Sequence, residues 1–474
     1  MTTMTAPIGT RDDLRGRHAL VLGLARSGTA VARLLADAGA NVSAYDRRPA
    51  AELSEAVHSL GDRSVNLALG VPPEEARAMV AAADLLVTSP SISPTMPTTD
   101  AWLRAAISEA MERGVEVVSE VELFLRLTRA HVLAVTGTKG KTTTSALIGA
   151  IFDAAGMPHL VGGNIGRPLI EEIDRLGPDD WAVLELSELQ LPTISRGAEI
   201  AVYTNIGADH LDRHGSEAAY RAVKARLAEL SVLHGRVVLN ADDPGCRELA
   251  ARLPAASIAW YALAATDPWL AARLVDGWLT VRGERIVAAA EMPIPGRHSL
   301  ADALAAALGA SLAGASNAAI AAGIRTFGGV PHRVERVATR NGVAWVNDSQ
   351  ATIPLAAIAA LDAFAPAPVV LIAGGKDKGL DYAALVDAIA LRCRLAVLIG
   401  ETAAQLEQLI GGRVPTVRAG SMSEAVAAAA AWARDGDVVL LAPAAASFDM
   451  FDDYAARGDA FRDAVRALDA EGAA

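Results

Sequence analysis

Cysteine is almost absent: Cys246 and Cys393 are the only two in 474 residues, far apart and without metal-ligand spacing. That excludes a disulfide framework and a cysteine-based zinc site, and both read as free, buried thiols of a reducing compartment. Aromatics are scarce at 4% against 52% apolar residues, so the core must be built from aliphatic side chains and alanine, as in a helix-rich globular fold. Positive charge is in deficit, with 43 Lys and Arg against 55 Asp and Glu and a formal net charge of -12. Bulk attraction to nucleic acid or an anionic membrane is thereby excluded, and any polyanionic ligand must be held by local lysines, arginines and helix ends. No uncharged apolar run reaches the roughly 18 residues of a membrane helix. Residues 1–17 carry acids where a signal peptide would carry an apolar core. The expectation is a cytoplasmic, monomeric protein that binds neither nucleic acid nor membrane. The chain is too long for one core, and about three domains are expected.

Against these absences one run stands out: Thr136-Gly137-Thr138-Lys139-Gly140-Lys141-Thr142-Thr143. An apolar stretch, 131–135, precedes it, and the helical pattern Leu147, Ile148, Ile151, Phe152 follows. Glycines let backbone N–H groups turn onto phosphate oxygens, Lys141 supplies a fixed cation, and the Thr142 hydroxyl can reach Mg2+ at the positive end of the helix. The expected ligand is ATP or another nucleoside triphosphate with Mg2+. The generic motif places its first glycine where this chain has Val135, so the loop is a shortened variant.

Three segments are expected, residues 1–119, 120–328 and 329–474. In the first, a strand at 19–24, the turn Gly23-Leu24-Ala25-Arg26-Ser27-Gly28 and a helix form a Rossmann-like opening. A second strand, 41–45, ends at Asp46, about 20 residues beyond the turn, where a carboxylate can accept from a nucleotide ribose. The dinucleotide fingerprint is incomplete, and Arg26 sits where pyrophosphate would want a small residue. A strand at 84–88 leads to a second loop carrying Ser91. In the second segment, strands at 181–184 and 200–204 end in Glu185-Leu186-Ser187-Glu188-Leu189 and Asn205-Ile206-Gly207-Ala208-Asp209-His210. In a parallel sheet these ends share an edge with the phosphate loop. Singly, Glu185 reads as a helix-capping acid and His210 as a core histidine; together with Asp209 they can converge on a metal. By charge alone Lys224, between Arg221 and Arg226 on a helix, is a solvated lysine. The third segment alternates strands at 343–346, 369–372, 395–399 and 438–441 with helices, a second doubly wound pattern. Its strand ends carry Asn347-Asp348-Ser349-Gln350-Ala351-Thr352, Gly374-Gly375-Lys376-Asp377-Lys378 and Ala442-Pro443-Ala444-Ala445-Ala446-Ser447.

In order, TGTKGKTT, GGNIGRP, ELSELQL, TNIGADHLDRH, YRAVK, PGRHSLADA, PHRVE, NDSQAT, GGKDK and APAAASFDMF resemble the Mur ligases of peptidoglycan synthesis, from about Gly16 to the last helix. The resemblance implies an α/β chain of three domains: an N-terminal Rossmann-like UDP-binding domain, a central P-loop ATPase-type parallel-sheet domain and a C-terminal Rossmann-like domain for the amino acid. It implies an ATP- and Mg2+-dependent amide ligase that joins D-glutamate to UDP-N-acetylmuramoyl-L-alanine through an acyl phosphate. Carried over residue by residue, the phosphate loop Gly137, Thr138, Lys139, Gly140, Lys141, Thr142 and Thr143 holds ATP with Asn164, Asp302, Arg333 and Asp348. Lys141, Glu185, His210 and Lys224 are the implied catalytic set, with Thr142, Glu185, His210 and a carbamylated Lys224 serving the metal. Arg26, Ser27, Asp46, Arg47 and Ser91 fall in the uridine-diphosphate pocket, and Gln350, Thr352, Lys378, Ser447 and Tyr454 in the amino-acid pocket.

The chain departs from the family pattern at named places. Glu188 adds a carboxylate beside Glu185. Gln350 and Ile353 replace a lysine and an asparagine, removing a cation near the amino-acid pocket. Ser299 and Asp302 replace two amides expected around adenine. A sibling ligase adding L-glutamate or another amino acid therefore stays open, as does a paralogue without turnover, against which Lys141, Glu185, His210 and Lys224 argue together.

Overall fold

The computed structural model describes residues 8–94, 99–164, 168–207, 216–265, 267–293 and 296–471. It divides into two units, Met1–Phe327 and Gly328–Ala474.

The first unit holds two sheets. Strands β1 (His18–Leu22), β2 (Asn41–Asp46), β3 (Val65–Leu69), β4 (Leu85–Thr88) and β5 (Glu116–Ser119) are all parallel, in the order β3-β2-β1-β4-β5. Ala19 to Leu22 are buried, as expected for a strand covered on both faces. Strand order reverses between β1 and β4, which opens a crevice at the carboxyl edge there. The incomplete fingerprint has a packing cause: a Cβ on Gly28 would lie 1.8 Å from the Gly23 carbonyl oxygen, so the helix Arg26–Asp37 closes directly on its own strand turn.

The second sheet contains β6 (His131–Thr136), β7 (His159–Gly163), β8 (Trp181–Glu185), β9 (Ile200–Tyr203), β10 (Arg236–Asn240), β11 (Ile258–Ala262), β12 (Ala272–Val275), β13 (Trp278–Val281) and β14 (Glu284–Ala288). Its order is β14-β13-β12-β11-β10-β9-β6-β8-β7, parallel except for the pairings of β13 with β12 and β14. Small residues let its helices approach: the site of a Cβ on Gly323 is 2.6 Å from Ile151 Cα, joining helices Asn317–Thr326 and Lys141–Ala155. This is what the alanine-rich, aromatic-poor composition builds. One apolar core continues from Val21, Val31 and Leu35 through Val121 and Phe124 to Leu184, Leu191 and Ala201, binding the two sheets into one unit. Each such side chain contributes about 1.5–3 kcal/mol on burial.

The second unit has β15 (Glu335–Arg340), β16 (Val343–Asn347), β17 (Val369–Gly374), β18 (Cys393–Ile399), β19 (Thr416–Ala419) and β20 (Val438–Leu441), in the order β15-β16-β20-β17-β18-β19. Only the β15–β16 hairpin is antiparallel. Apolar cores cover both faces of the sheet. Both cysteines are free, but only Cys246 is buried; Cys393 is half-buried at the start of β18, correcting the expectation that both are buried.

Candidate functional site

The phosphate loop leaves β6 at its carboxyl end and caps the helix Lys141–Ala155. Val135 is still strand, fully buried and paired with Glu185 and Val202, so the loop starts later than a generic one and needs no glycine there. Gly137 and Gly140 have φ of +151° and +85°, and a Cβ on either would sit 2.0 Å from Thr204 Oγ1 or 2.3 Å from Asp302 Oδ1. Only glycine fits this cradle. The Lys139 N–H donates to Asn205 Oδ1 at 3.0 Å and the Asn205 amide returns a bond to the Lys139 carbonyl at 3.0 Å. Thr138 Oγ1 lies 3.1 Å from the Tyr220 hydroxyl and accepts from the Gly207 N–H at 3.0 Å. Thr142 and Thr143 are partly exposed in the first helical turn.

Two lysines converge on one carbonyl. Lys141 Nζ donates to Gly137 O at 3.0 Å and Thr138 O at 3.1 Å, while Lys224 Nζ donates to Gly137 O and Thr136 Oγ1, each at 3.1 Å. Lys224 is 0% exposed and its ammonium lies 5.6 Å from the Tyr220 ring centroid, so the solvated-lysine reading of its charge is overturned. A buried ammonium is costly and demands partners, which the hydroxyl, the carbonyl and the ring supply. The helix Glu217–Ser231 sets it there by turning Tyr220, Lys224 and Leu227 inward together.

Glu185 ends β8 and is 1% exposed. Its Oε1 accepts from Asn164 Nδ2 at 2.9 Å, and its backbone carbonyl accepts from Asn164 N–H at 2.9 Å. Its Oε2 is buried without a hydrogen-bond partner among the described residues. A bare carboxylate oxygen at the end of a strand paired with the one that feeds the phosphate loop has the chemistry to take a hard cation. Asp209 and His210 lie outside the described residues, and among those described no three His, Cys, Asp or Glu side chains gather as a metal cluster. Asp302, from helix Arg297–Leu312, adds a buried carboxyl against Gly140, and burial pushes it up to about 7.

At the crevice of the first sheet a cavity of about 440 Å³ is lined by Asp46, Arg47, Arg48, Ser89, Ser91 and, from the second sheet's side, Leu189, among others. Asp46 and Arg47 leave β2, and Ser91 follows β4. Arg26 and Ser27 begin the helix just after Ala25, a lining residue, but are not themselves in the lining. Arg48, which the sequence reading passed over, locks Asp46: its Nε and Nη2 donate to the carboxylate at 3.0 and 2.8 Å, and Leu24 N–H adds a bond at 2.9 Å. Burial opposes ionisation of Asp46, but these bonds hold its carboxyl below the ordinary value. Asp46 thus shapes the floor of the cavity, and the exposed Arg47 lies beside it.

The second unit gathers its own cluster. Asp348 follows β16 and is 6% exposed; burial lifts it to about 6, against the Val334 N–H bond at 3.0 Å and the Arg333 charge. Arg457, missed in the sequence because an arginine on a terminal helix reads as surface, is 0% exposed. It donates to Ser349 Oγ, Ser349 O, Ala445 O and Ala446 O at 2.9–3.1 Å. It therefore ties the loop after β16 to the loop after β20, and burial lowers its guanidinium to about 10. Tyr454 carries the same bundle: its carbonyl accepts from Ser349 Oγ at 2.7 Å, and its hydroxyl accepts from Gln350 Nε2 at 3.4 Å. Thr352 is held by its N–H to Gln350 O at 2.8 Å, and Ser447 is buried beside the Arg457-bound carbonyls. The Lys378 ammonium is depressed by burial and then by the Arg457 charge, which places it within electrostatic reach of the cluster.

Comparison with known proteins follows the same three parts. Residues 17–119 match the Mur ligase MurD-like, N-terminal domain, 135–310 the Mur ligase middle domain, and 332–445 the Mur ligase, glutamate ligase domain. A UDP-N-acetylmuramoylalanine--D-glutamate ligase of Solibacter usitatus is 42% identical over 458 residues, 96% of this chain and 99% of its own. One of the same name from Pelotomaculum thermopropionicum is 39% identical, again over 96% of this chain and 99% of its own. Among solved structures, UDP-N-acetylmuramate-alanine ligase MurC of Thermotoga maritima shares the fold at 18% identity, with a TM-score of 0.51 over 95% of this chain and 100% of that one. Similarity of this extent, carried through every domain, establishes that the chain belongs to the Mur ligase family.

Proposed function

We infer that the protein is an ATP-dependent ligase that joins D-glutamate to UDP-N-acetylmuramoyl-L-alanine, forming ADP, phosphate and an amide. The observation that carries this reading is the pair of lysines on the Gly137 carbonyl, with Glu185, whose second oxygen is buried and bare, ending the strand paired to the one before that loop. The near full-length relatives bearing that enzyme name support the substrate assignment.

The chemistry asks little covalent work of the protein and much positioning. A substrate carboxylate oxygen attacks the γ-phosphorus as the bond to the bridging oxygen of ADP breaks, giving an acyl phosphate. The amine of glutamate then attacks the acyl carbon, the tetrahedral centre collapses, and phosphate leaves while the nitrogen gives up its proton. Lys141 swings from its loop carbonyls to the phosphates, and the N–H groups of residues 140–142 at the helix N-terminus bind them. Thr142, Glu185, His210 and a carbamylated Lys224 would hold Mg2+, which when bound would neutralise charge on the transferring group. Carbamylation, in which the deprotonated amine adds to CO2 and the carbamic acid releases its proton, would replace the buried ammonium by an anion that suits a metal. Asn164 orients Glu185 through its amide. The cavity at Asp46, Arg47 and Ser91 takes the uridine diphosphate. Arg333 and Asp348 contact ATP, while Gln350, Thr352, Lys378, Ser447 and Tyr454, braced by Arg457, take the glutamate. Domain boundaries near residues 119 and 328, cytoplasmic location and monomeric action without membrane or nucleic acid belong to the same proposal; among the described residues no helix is long and apolar enough to cross a membrane.

A second reading, a sibling ligase for L-glutamate, draws on Gln350, which puts a neutral amide against Tyr454 where the family carries a lysine. Phosphate release from ATP, measured with the UDP-linked substrate and separately with D-glutamate, L-glutamate, glycine and L-lysine, decides between them. Release with D-glutamate alone is expected; release with neither enantiomer sinks both.

A further inference from the structure

Asp302, one of several buried acids among the described residues, is implied at the nucleotide but has no step in the proposed chemistry. Its carboxyl, 7% exposed, presses against Gly140, the residue that caps the phosphate-loop helix. The same helix end is the anion site of the loop, so an ionised Asp302 and a bound phosphate compete for one set of dipoles and N–H groups. No ion pair or hydrogen bond to its carboxylate is made among the described residues; Lys141 is turned instead onto the Gly137 and Thr138 carbonyls, and Lys139 is tied to Asn205 by its backbone. The titratable groups on elements packed around it are Tyr261 of β11, whose hydroxyl donates to Tyr203 and Thr204 carbonyls, Asp242 and Asp243 after β10, and Cys246. Arg297 and His298 lie on its own helix. What raises the Asp302 carboxyl is its burial.

We propose that Asp302 is a specificity-determining residue of the nucleotide site, acting as a resident anion on the phosphate loop that makes nucleotide affinity fall as pH rises, where the family's amide would leave it level. The proposal rests on the phosphate-loop reading above but not on the identity of the amino acid. Its titration, raised to about 7 by burial, falls in the physiological range. Below that point Asp302 is neutral, a near-isostere of asparagine, and offers the loop no charge. Above it, the nucleotide must either endure the carboxylate or bind together with a proton, which weakens apparent affinity by up to about tenfold per pH unit.

The test is ADP binding to the full chain by calorimetry at fixed free Mg2+, from about pH 6 to about pH 9, in wild type and Asp302→Asn. The expected result is a dissociation constant that rises about tenfold more in the wild type than in the variant across that range, because titration of ADP itself is common to both. Equal profiles overturn the proposal while leaving nucleotide binding intact. If the variant does not fold, the wild type decides: a flat profile overturns the proposal, and a rise supports it when Asp302→Ser removes it. No ADP binding at any pH overturns this inference and the nucleotide reading together.

Discussion

Among the described residues each unit holds one long cation at 0% exposure, Lys224 in the first and Arg457 in the second, and the two are held in opposite ways. Arg457 spends its fork on four fixed oxygens and knits two loops into one wall. Lys224 rests on a hydroxyl and on a carbonyl it shares with Lys141. A guanidinium is a planar brace with too many donors to move; an ammonium is a point charge on a flexible stem that can be modified or drawn to a ligand. The first unit therefore keeps a reserve of chemistry, and the second a rigid pocket.

That contrast can be broken by substitution. Lys224→Ala should lower turnover about a hundredfold to a thousandfold at saturating magnesium while ADP affinity changes only a few-fold; steady-state kinetics beside calorimetry reads the split, and unchanged turnover removes Lys224 from the chemistry. Arg457→Met should cost the second unit about 3–5 kcal/mol, since it strands several buried acceptors; denaturant unfolding measures it, and a loss confined to the KM for glutamate would mean the brace is not structural.

Two smaller effects sharpen the comparison. Asp348 has its carboxyl raised from 3.8 to about 6. A group raised on folding stabilises fully below its unfolded value and loses that contribution as pH climbs through the folded one. Stability of the second unit should thus decline between about pH 4 and about pH 6 by about 2 kcal/mol, and Asp348→Asn should flatten the decline in unfolding melts. In the first unit, Arg48→Ala should cost under about 1 kcal/mol, its side chain being partly solvent-screened, yet weaken binding of UDP several-fold by unlocking Asp46; unaltered UDP affinity would detach that pair from the cavity.

Parallel strands buried on both faces read as continuous apolar runs, so β1, β6, β8, β9, β17 and β20 and the polar ends after them were legible to within a residue or two. The short strands β12 to β15 were not, because they are four to six residues long and, except for the largely buried β13, half-buried with polar residues among the apolar ones. Of the site, the phosphate loop carries a local signature, and Glu185 is marked only by its company at the shared sheet edge. Lys224 carries no such mark: Arg221 and Arg226 surround it in sequence, and only the helical turn that points it inward separates it from them. Arg48 and Arg457 escaped for the same reason, since what matters in each is a set of partners 2 to 108 residues away.

Transfer of phosphorus to a carboxylate is the step on which the proposed residue roles depend. With isotopically heavy oxygen in the alanyl carboxylate of the UDP-linked substrate, turnover with D-glutamate should deliver one heavy oxygen into each phosphate released, the other remaining in the amide. Phosphate free of label, with product still formed, would contradict the acyl phosphate and the role given to the phosphate loop.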